Sequence, residues 1–191
     1  MDQYQIILTF SEPLLGTVPK DAQVYASYIA GLNSDDELET VPEQAEEKGW
    51  TGFHEVNGKP ILYDYVFKGF FKDACGMMRR SSGSKSSKLS AYKKVIDGLL
   101  FVEPRRVPLT LSGPLSLLER PLRASTAQGE RVALARSDAA PIGSSCTFTL
   151  TVLDGVSLVL LEEWLDYGRF RGLGQWRNGG YGRFTYEMKA L

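Results

Sequence analysis

The densest chemistry in this sequence lies in Gly172 to Phe184, which reads Gly-Leu-Gly-Gln-Trp-Arg-Asn-Gly-Gly-Tyr-Gly-Arg-Phe. Gly172, Gly174, Gly179, Gly180 and Gly182 permit backbone dihedrals closed to other residues and let a ligand approach the main chain. Amides exposed in this way form concavities that hold phosphate oxygens. Arg177 and Arg183 add forked donors suited to phosphate. Trp176 and Tyr181, with Asn178 between them, supply aromatic faces on which bases stack. Two readings follow: a loop that touches nucleic acid, and a glycine-rich hairpin that only turns the chain.

A second basic set comprises Arg120, Arg123, Arg131 and Arg136, interleaved with Ser125 and Gln128. On a strand, Arg131 shares a face with Ala133 and Ala135 but not with Arg136, so one face cannot carry all four. Lys68 and Lys72 fall one turn apart on an expected helix, where they meet one phosphate together or remain solvated. His54 is the only histidine. It is the weak candidate for acid–base cleavage of RNA near neutral pH, and no second histidine partners it. Asp64 and Asp73 lack a supporting carboxylate cluster, so no metal is expected. There is no Gly-Lys-Ser/Thr phosphate loop, and no cofactor is expected.

These groups need elements to hold them. With 191 residues, 43% hydrophobic, the chain is long enough to bury a core, and it reads as one domain over residues 1–191. The net charge of −1 excludes a polycation, so binding to nucleic acid must rest on uneven charge. Charge is uneven: Asp35 to Glu47 is acidic, whereas Arg105 to Arg136 and Arg169 to Arg183 are basic stretches. Cys75 and Cys146 form no disulfide framework and suit a reducing cytosol. No signal peptide and no membrane span are expected, which places the protein in the cytoplasm.

Residues 4–10 read as a buried strand and 20–32 as a helix with Asp21 in its first turn. The acidic segment 34–49 and the serine-rich segment 81–90 read as flexible. Trp50 to Tyr65 reads as a hairpin around Asn57-Gly58, and Val66 to Met78 as an amphipathic helix. Strands follow at 99–102, 106–111, 117–124, 131–135 and 146–153. A helix from Val156 to Tyr167, ended by Gly168, leads into the glycine-rich segment and a strand from Phe184 to Met188. The alternation predicts an α+β fold, an antiparallel sheet with packed helices.

The order of these residues resembles the RAMP superfamily of CRISPR-associated proteins, in the branch of backbone subunits. The likeness rests on the helix from Val156 followed by Gly172 to Phe184, and on Arg123 to Asp138 leading through Pro141-Ile-Gly143 into Thr147-Phe-Thr-Leu150. It also rests on Asn57-Gly58-Lys-Pro-Ile61 leading to Lys68-Gly69-Phe-Phe-Lys72. The segment departs from the family where Tyr65, Val66 and Phe67 replace small hydroxyl residues before Lys-Gly. The resemblance implies a ferredoxin-like, RRM-like core with insertions. It also implies a non-enzymatic protein that binds single-stranded RNA or DNA through the glycine-rich loop and arginines, assembling as an oligomer or within a CRISPR-type complex. The same resemblance also fits a standalone or phage-borne member of the superfamily. Two alternatives remain: a metal-independent endoribonuclease that processes repeat RNA, and a subunit mimic that inhibits a CRISPR or other host complex. Asp21 is the nearest positional match to the aspartate with which cutting members of the family act.

Overall fold

The computed structural model describes residues 1–21, 50–126 and 129–191, with backbone alone over 122–126 and 129–133. The expected helix beyond Asp21 and the acidic segment 34–49 lie outside the described residues.

The first strand, β1 (Asp2–Phe10), turns Ile6, Leu8 and Phe10 inward in strict alternation. Two later strands flank it, both antiparallel. β11 (Ser145–Val152) pairs with it from Asp2↔Val152 to Thr9↔Ser145. β12 (Phe184–Ala190) pairs with it from Tyr4↔Ala190 to Phe10↔Phe184. The far edge of β11 is covered by β7 (Leu100–Glu103) and the end of β8 (Arg106–Thr110), which run along it in sequence. The first half of β8 pairs instead with β6 (Lys59–Tyr63), itself the second arm of a hairpin with β5 (His54–Val56). That hairpin turns at Asn57 and Gly58, both at positive φ as the dipeptide predicts.

Three helices, counted among the described residues, accompany this sheet. α1 (Asp64–Met78) buries Phe67, Phe70, Phe71, Ala74 and Cys75, the spacing of one helical face. α2 (Tyr92–Leu99) packs beside it through Ile96. α3 (Leu158–Arg171) buries Leu161, Trp164, Leu165 and Gly168, again one face. In chain order, β1, α1, the β7–β8 strand, β11, α3 and β12 form a β-α-β-β-α-β unit in which β1 and β11 are central. This is a ferredoxin-like core in an α+β fold.

Two insertions interrupt the core and build a second, smaller sheet. It contains β2 (Leu14–Leu15), β3 (Val18–Pro19) and β4 (Trp50–Gly52), together with the long hairpin of β9 (Ser116–Thr126) and β10 (Gly129–Ala140). β9 and β10 stay in register from Ser116↔Ala139 to Thr126↔Gly129. Arg136 faces Glu119 directly across it and forms an ion pair at 2.9 Å.

Three local features differ from the sequence reading. α3 continues past Gly168 to Arg171, because that glycine is a contact and not a stop: a Cβ there would lie 2.1 Å from the Phe184 ring. The segment 81–90 contains a 3-10 turn, Lys85–Lys88, with Ser86 fully buried. Ser86 Oγ donates to the Glu163 carboxylate and accepts from Trp164 Nε1 at 2.9 Å, so short hydroxyl side chains here serve packing. α2 is a short amphipathic helix over residues to which the sequence reading assigns no element, entered through Ala91 in the left-handed region. No helix among the described residues is long and apolar enough to cross a membrane.

Candidate nucleic-acid interface

The glycine-rich segment is a loop closed at its neck and pinned at three points. At the neck, Leu173 N–H donates to the Gly182 carbonyl at 2.9 Å, and Gly182 N–H donates to the Pro13 carbonyl at 2.9 Å. Main chains pass so closely that a Cβ on Gly182 would sit 1.9 Å from the Leu173 oxygen, and one on Gly172 would sit 2.4 Å from the Tyr181 oxygen. Both residues also have positive φ, so glycine is required twice over. Gly174 lies against Leu14 and the Leu15 carbonyl. These three glycines have a packing task.

Gln175 makes the second attachment. Its side chain is buried, and Nε2 reaches the Gly16 carbonyl at 2.5 Å, Ser137 Oγ at 2.6 Å and Thr51 Oγ1 at 2.8 Å. One amide thereby joins the loop to both insertions. Nothing in the local sequence marks this residue; its partners are far along the chain.

Asp73 of α1 makes the third attachment. Its Oδ2 accepts from Arg171 Nε at 3.0 Å and from Arg177 Nη1 at 2.8 Å. Arg171 also donates to Asn178 Oδ1 at 2.5 Å. Arg177 is thus mostly buried, with 9% of its side chain exposed, and serves as an anchor of the loop. Arg183 donates Nε–H to the Phe170 carbonyl at 3.0 Å and stays half-exposed beside Gly180.

Beyond these anchors the tip projects. Trp176 adopts a left-handed conformation, φ 54°, and opens a 3-10 turn, Arg177–Gly179, in which Asn178 and Gly179 are exposed. A non-glycine residue in this region costs roughly 1–2 kcal/mol, which its surroundings must offset. The Arg120 guanidinium from β9 lies 4.2 Å from the Trp176 ring centre and 5.4 Å from that of Tyr181. The two rings meet edge to face at 6.3 Å. The result is a half-exposed platform of two aromatic rings and one guanidinium. Arg120, Arg171, Arg177 and Arg183 gather around the loop with Asp73 among them, so its electrostatic balance is positive.

Other candidates lie elsewhere. Arg123 and Arg131 occupy backbone positions further along the hairpin, opposite Val132 and Ala124. Lys68 and Lys72 turn toward α2: Lys68 donates to the Asp97 carbonyl at 3.0 Å, and Lys72 pairs with the Asp97 carboxylate at 2.8 Å. They are not brought to the loop. His54 stands half-buried on β5, edge to face with Tyr63 at 4.8 Å, and its Nε2 is 3.5 Å from the Tyr65 hydroxyl. Burial lowers its pKa below the ordinary value. Asp21 follows β3 at the edge of the described residues. Both cysteines are free and buried, and burial pushes the Cys146 thiol up to about 12, far from thiolate chemistry. No group of His, Cys, Asp and Glu suited to a metal ion occurs among the described residues.

No protein-family model and no curated protein matches this sequence. Solved structures do match its fold. A chain of the type III-B Cmr-beta complex bound to cognate target RNA superposes with a TM-score of 0.58 at 10% identity, covering 100% of this chain and 60% of that one. A chain of a type IV-B CRISPR complex superposes with a TM-score of 0.50 at 10% identity, covering 98% and 90%. The chain therefore spans about 60% of the length of the first neighbour. At such identity the likeness is one of overall fold alone.

Proposed function

We propose that this chain is a non-enzymatic, RAMP-like subunit that holds single-stranded nucleic acid, RNA first, along the glycine-rich loop. The observation that carries the reading is the Arg120–Trp176–Tyr181 platform, set on a loop anchored from behind by Asp73 and Gln175. Bases would stack on the rings, while the half-exposed guanidinium of Arg183 would take phosphate oxygens. Such contacts read the backbone and the generic face of a base, so binding would be largely independent of sequence. The fold shared with subunits of CRISPR complexes supports placement within a ribonucleoprotein, with copies assembled along one strand.

The test is a titration of labelled single-stranded RNA and DNA at low and moderate salt, with the Arg120→Ala/Trp176→Ala variant alongside. Expected are salt-sensitive binding by the native chain and a loss of about 2 kcal/mol in the variant, within the range of one lost base stack plus one lost phosphate contact. Absence of binding to either strand at low salt overturns the proposal and favours a mimic that docks on a protein complex. Cleavage of the RNA abolished by His54→Ala would replace it with an endoribonuclease.

A further inference from the structure

A second aromatic group stands outside the loop. Tyr63 ends β6 and Tyr65 lies in the first turn of α1, and their rings stack with centres 5.2 Å apart and planes 15° apart. His54 from β5 meets Tyr63 edge-on, and the Arg105 guanidinium lies 6.0 Å from the Tyr63 ring centre. Both tyrosines and His54 are half-exposed. They open into a shallow cleft whose other walls include Thr17, Val18 and Phe53. Stacked tyrosines at a water-facing position leave apolar ring surface uncovered, and the hydroxyl and imidazole place donor and acceptor groups at its rim.

The cleft is tied to the glycine-rich loop by short stretches of chain. Gln175, next to Trp176, holds Thr51 Oγ1 and the Gly16 carbonyl. His54 follows Thr51 by three residues, a span of at most about 11 Å, and Thr17 follows Gly16 directly. One extended strand seated on Trp176 therefore has the cleft within its reach.

We propose that the His54–Tyr63–Tyr65 cleft is a second stacking site, which takes one unstacked nucleobase of the same single strand that the loop holds. This deepens the proposed function and rests on it. The base would extend the Tyr63–Tyr65 stack within the cleft. Arg105, exposed beside Tyr63, supplies charge for the adjoining phosphate.

The experiment compares labelled oligoadenylate with an abasic phosphodiester strand of the same length, titrated into the native chain and into the Tyr63→Ala/Tyr65→Ala variant. The expected result is a roughly five- to hundredfold loss of oligoadenylate affinity in the variant, with affinity for the abasic strand and the salt slope unchanged. Tyr65→Phe should retain oligoadenylate binding within about twofold, since the ring persists. A far-UV melt of each variant establishes that it is folded. Equal affinity of native and variant chains for oligoadenylate overturns the site, as does an equal fall on both strands, which would mark the tyrosines as merely structural. A native chain that binds neither strand overturns the proposed function and this site together, whereas the preceding outcomes leave the loop's role standing.

Discussion

Replacing Asp73 by asparagine sets two physical effects against each other, and their signs differ. The carboxylate sits 12% exposed between Arg171 and Arg177, whose side chains are 24% and 9% exposed. Asparagine keeps the shape and one acceptor but removes the charge. Breaking a well-buried ion pair costs about 3–5 kcal/mol, and a hydrogen bond to a charged group contributes about 1.5–3 kcal/mol. Because Arg171 retains Asn178 and the site is only partly buried, Asp73→Asn should cost about 2 kcal/mol. For a chain of this size that lowers Tm by roughly 4–8 °C, measurable by urea or thermal unfolding. The consequence for nucleic acid is the sharper test. Coulomb's law alone predicts tighter binding, because a negative charge leaves the proposed phosphate site; at about 10 Å in water the gain is about 0.4 kcal/mol, or twofold. Anchoring predicts the reverse. With Arg177 released, the turn that carries Trp176 loses its seat, and the base stack it offers, about 1–3 kcal/mol, is lost in whole or part. A titration of single-stranded RNA at fixed salt should show affinity reduced about tenfold. Tighter RNA binding together with a stability loss below about 0.5 kcal/mol would refute the view of Arg177 as an anchor.

Gly168→Ala places a methyl group 2.1 Å from the buried Phe184 ring; overpacking of about 1–3 kcal/mol outweighs about 1 kcal/mol of helix propensity, so urea unfolding should show a net loss. An unchanged or raised midpoint would mean that α3 and β12 part easily. The pH dependence has two components. Burial holds His54 below its ordinary 6.5, so the unfolded chain takes the proton first; stability present above about 6.5 is lost as pH falls through the folded value, and His54→Gln should remove that slope. For Glu163, burial pushes the pKa up, but hydrogen bonds from the Ser86 hydroxyl and the Lys85 and Ser86 amides outweigh it, leaving the pKa below the ordinary 4.5. Its contribution is present above that value and lost as pH falls through the folded pKa, so Glu163→Gln should flatten the acid limb of a stability–pH curve.

Local patterns in the sequence carried the core elements. Phe67, Phe70, Phe71 and Ala74 mark one helical face, Asn57-Gly58 marks its turn, and the alternation from Cys146 to Val152 marks a strand; each depends on neighbours a few residues away. What escaped depends on distant partners. Gly168 reads as a helix stop until the Phe184 ring is seen to occupy the space of its Cβ. Arg177 reads as a phosphate ligand until Asp73, 104 residues earlier, is found against it. Arg120 belongs to another basic stretch, yet it completes the Trp176–Tyr181 platform. Gln175 carries no signal at all, since glutamine is ordinary in a loop and its acceptors come from three separate segments. The loop's glycines, arginines and aromatic rings are visible in the sequence, whereas the division between anchoring and exposed residues is a property of the fold.

The central position of β1 has a consequence for synthesis. Its first neighbour, β11, lies far along the chain: Gln3 bonds Thr151 across 148 residues, and Thr185 on β12 reaches Thr9 across 176. At about 5–20 residues per second, β1 waits roughly 7–30 s on the ribosome before a partner strand emerges. Throughout that interval Ile6, Leu8 and Phe10 belong to a short apolar segment with both edges open, the kind that pairs with whatever strand it meets. A nascent chain stalled before Ser145 would thus be a sticky species, and holdase chaperones that cover such segments would govern the yield of folded protein more than its final stability does.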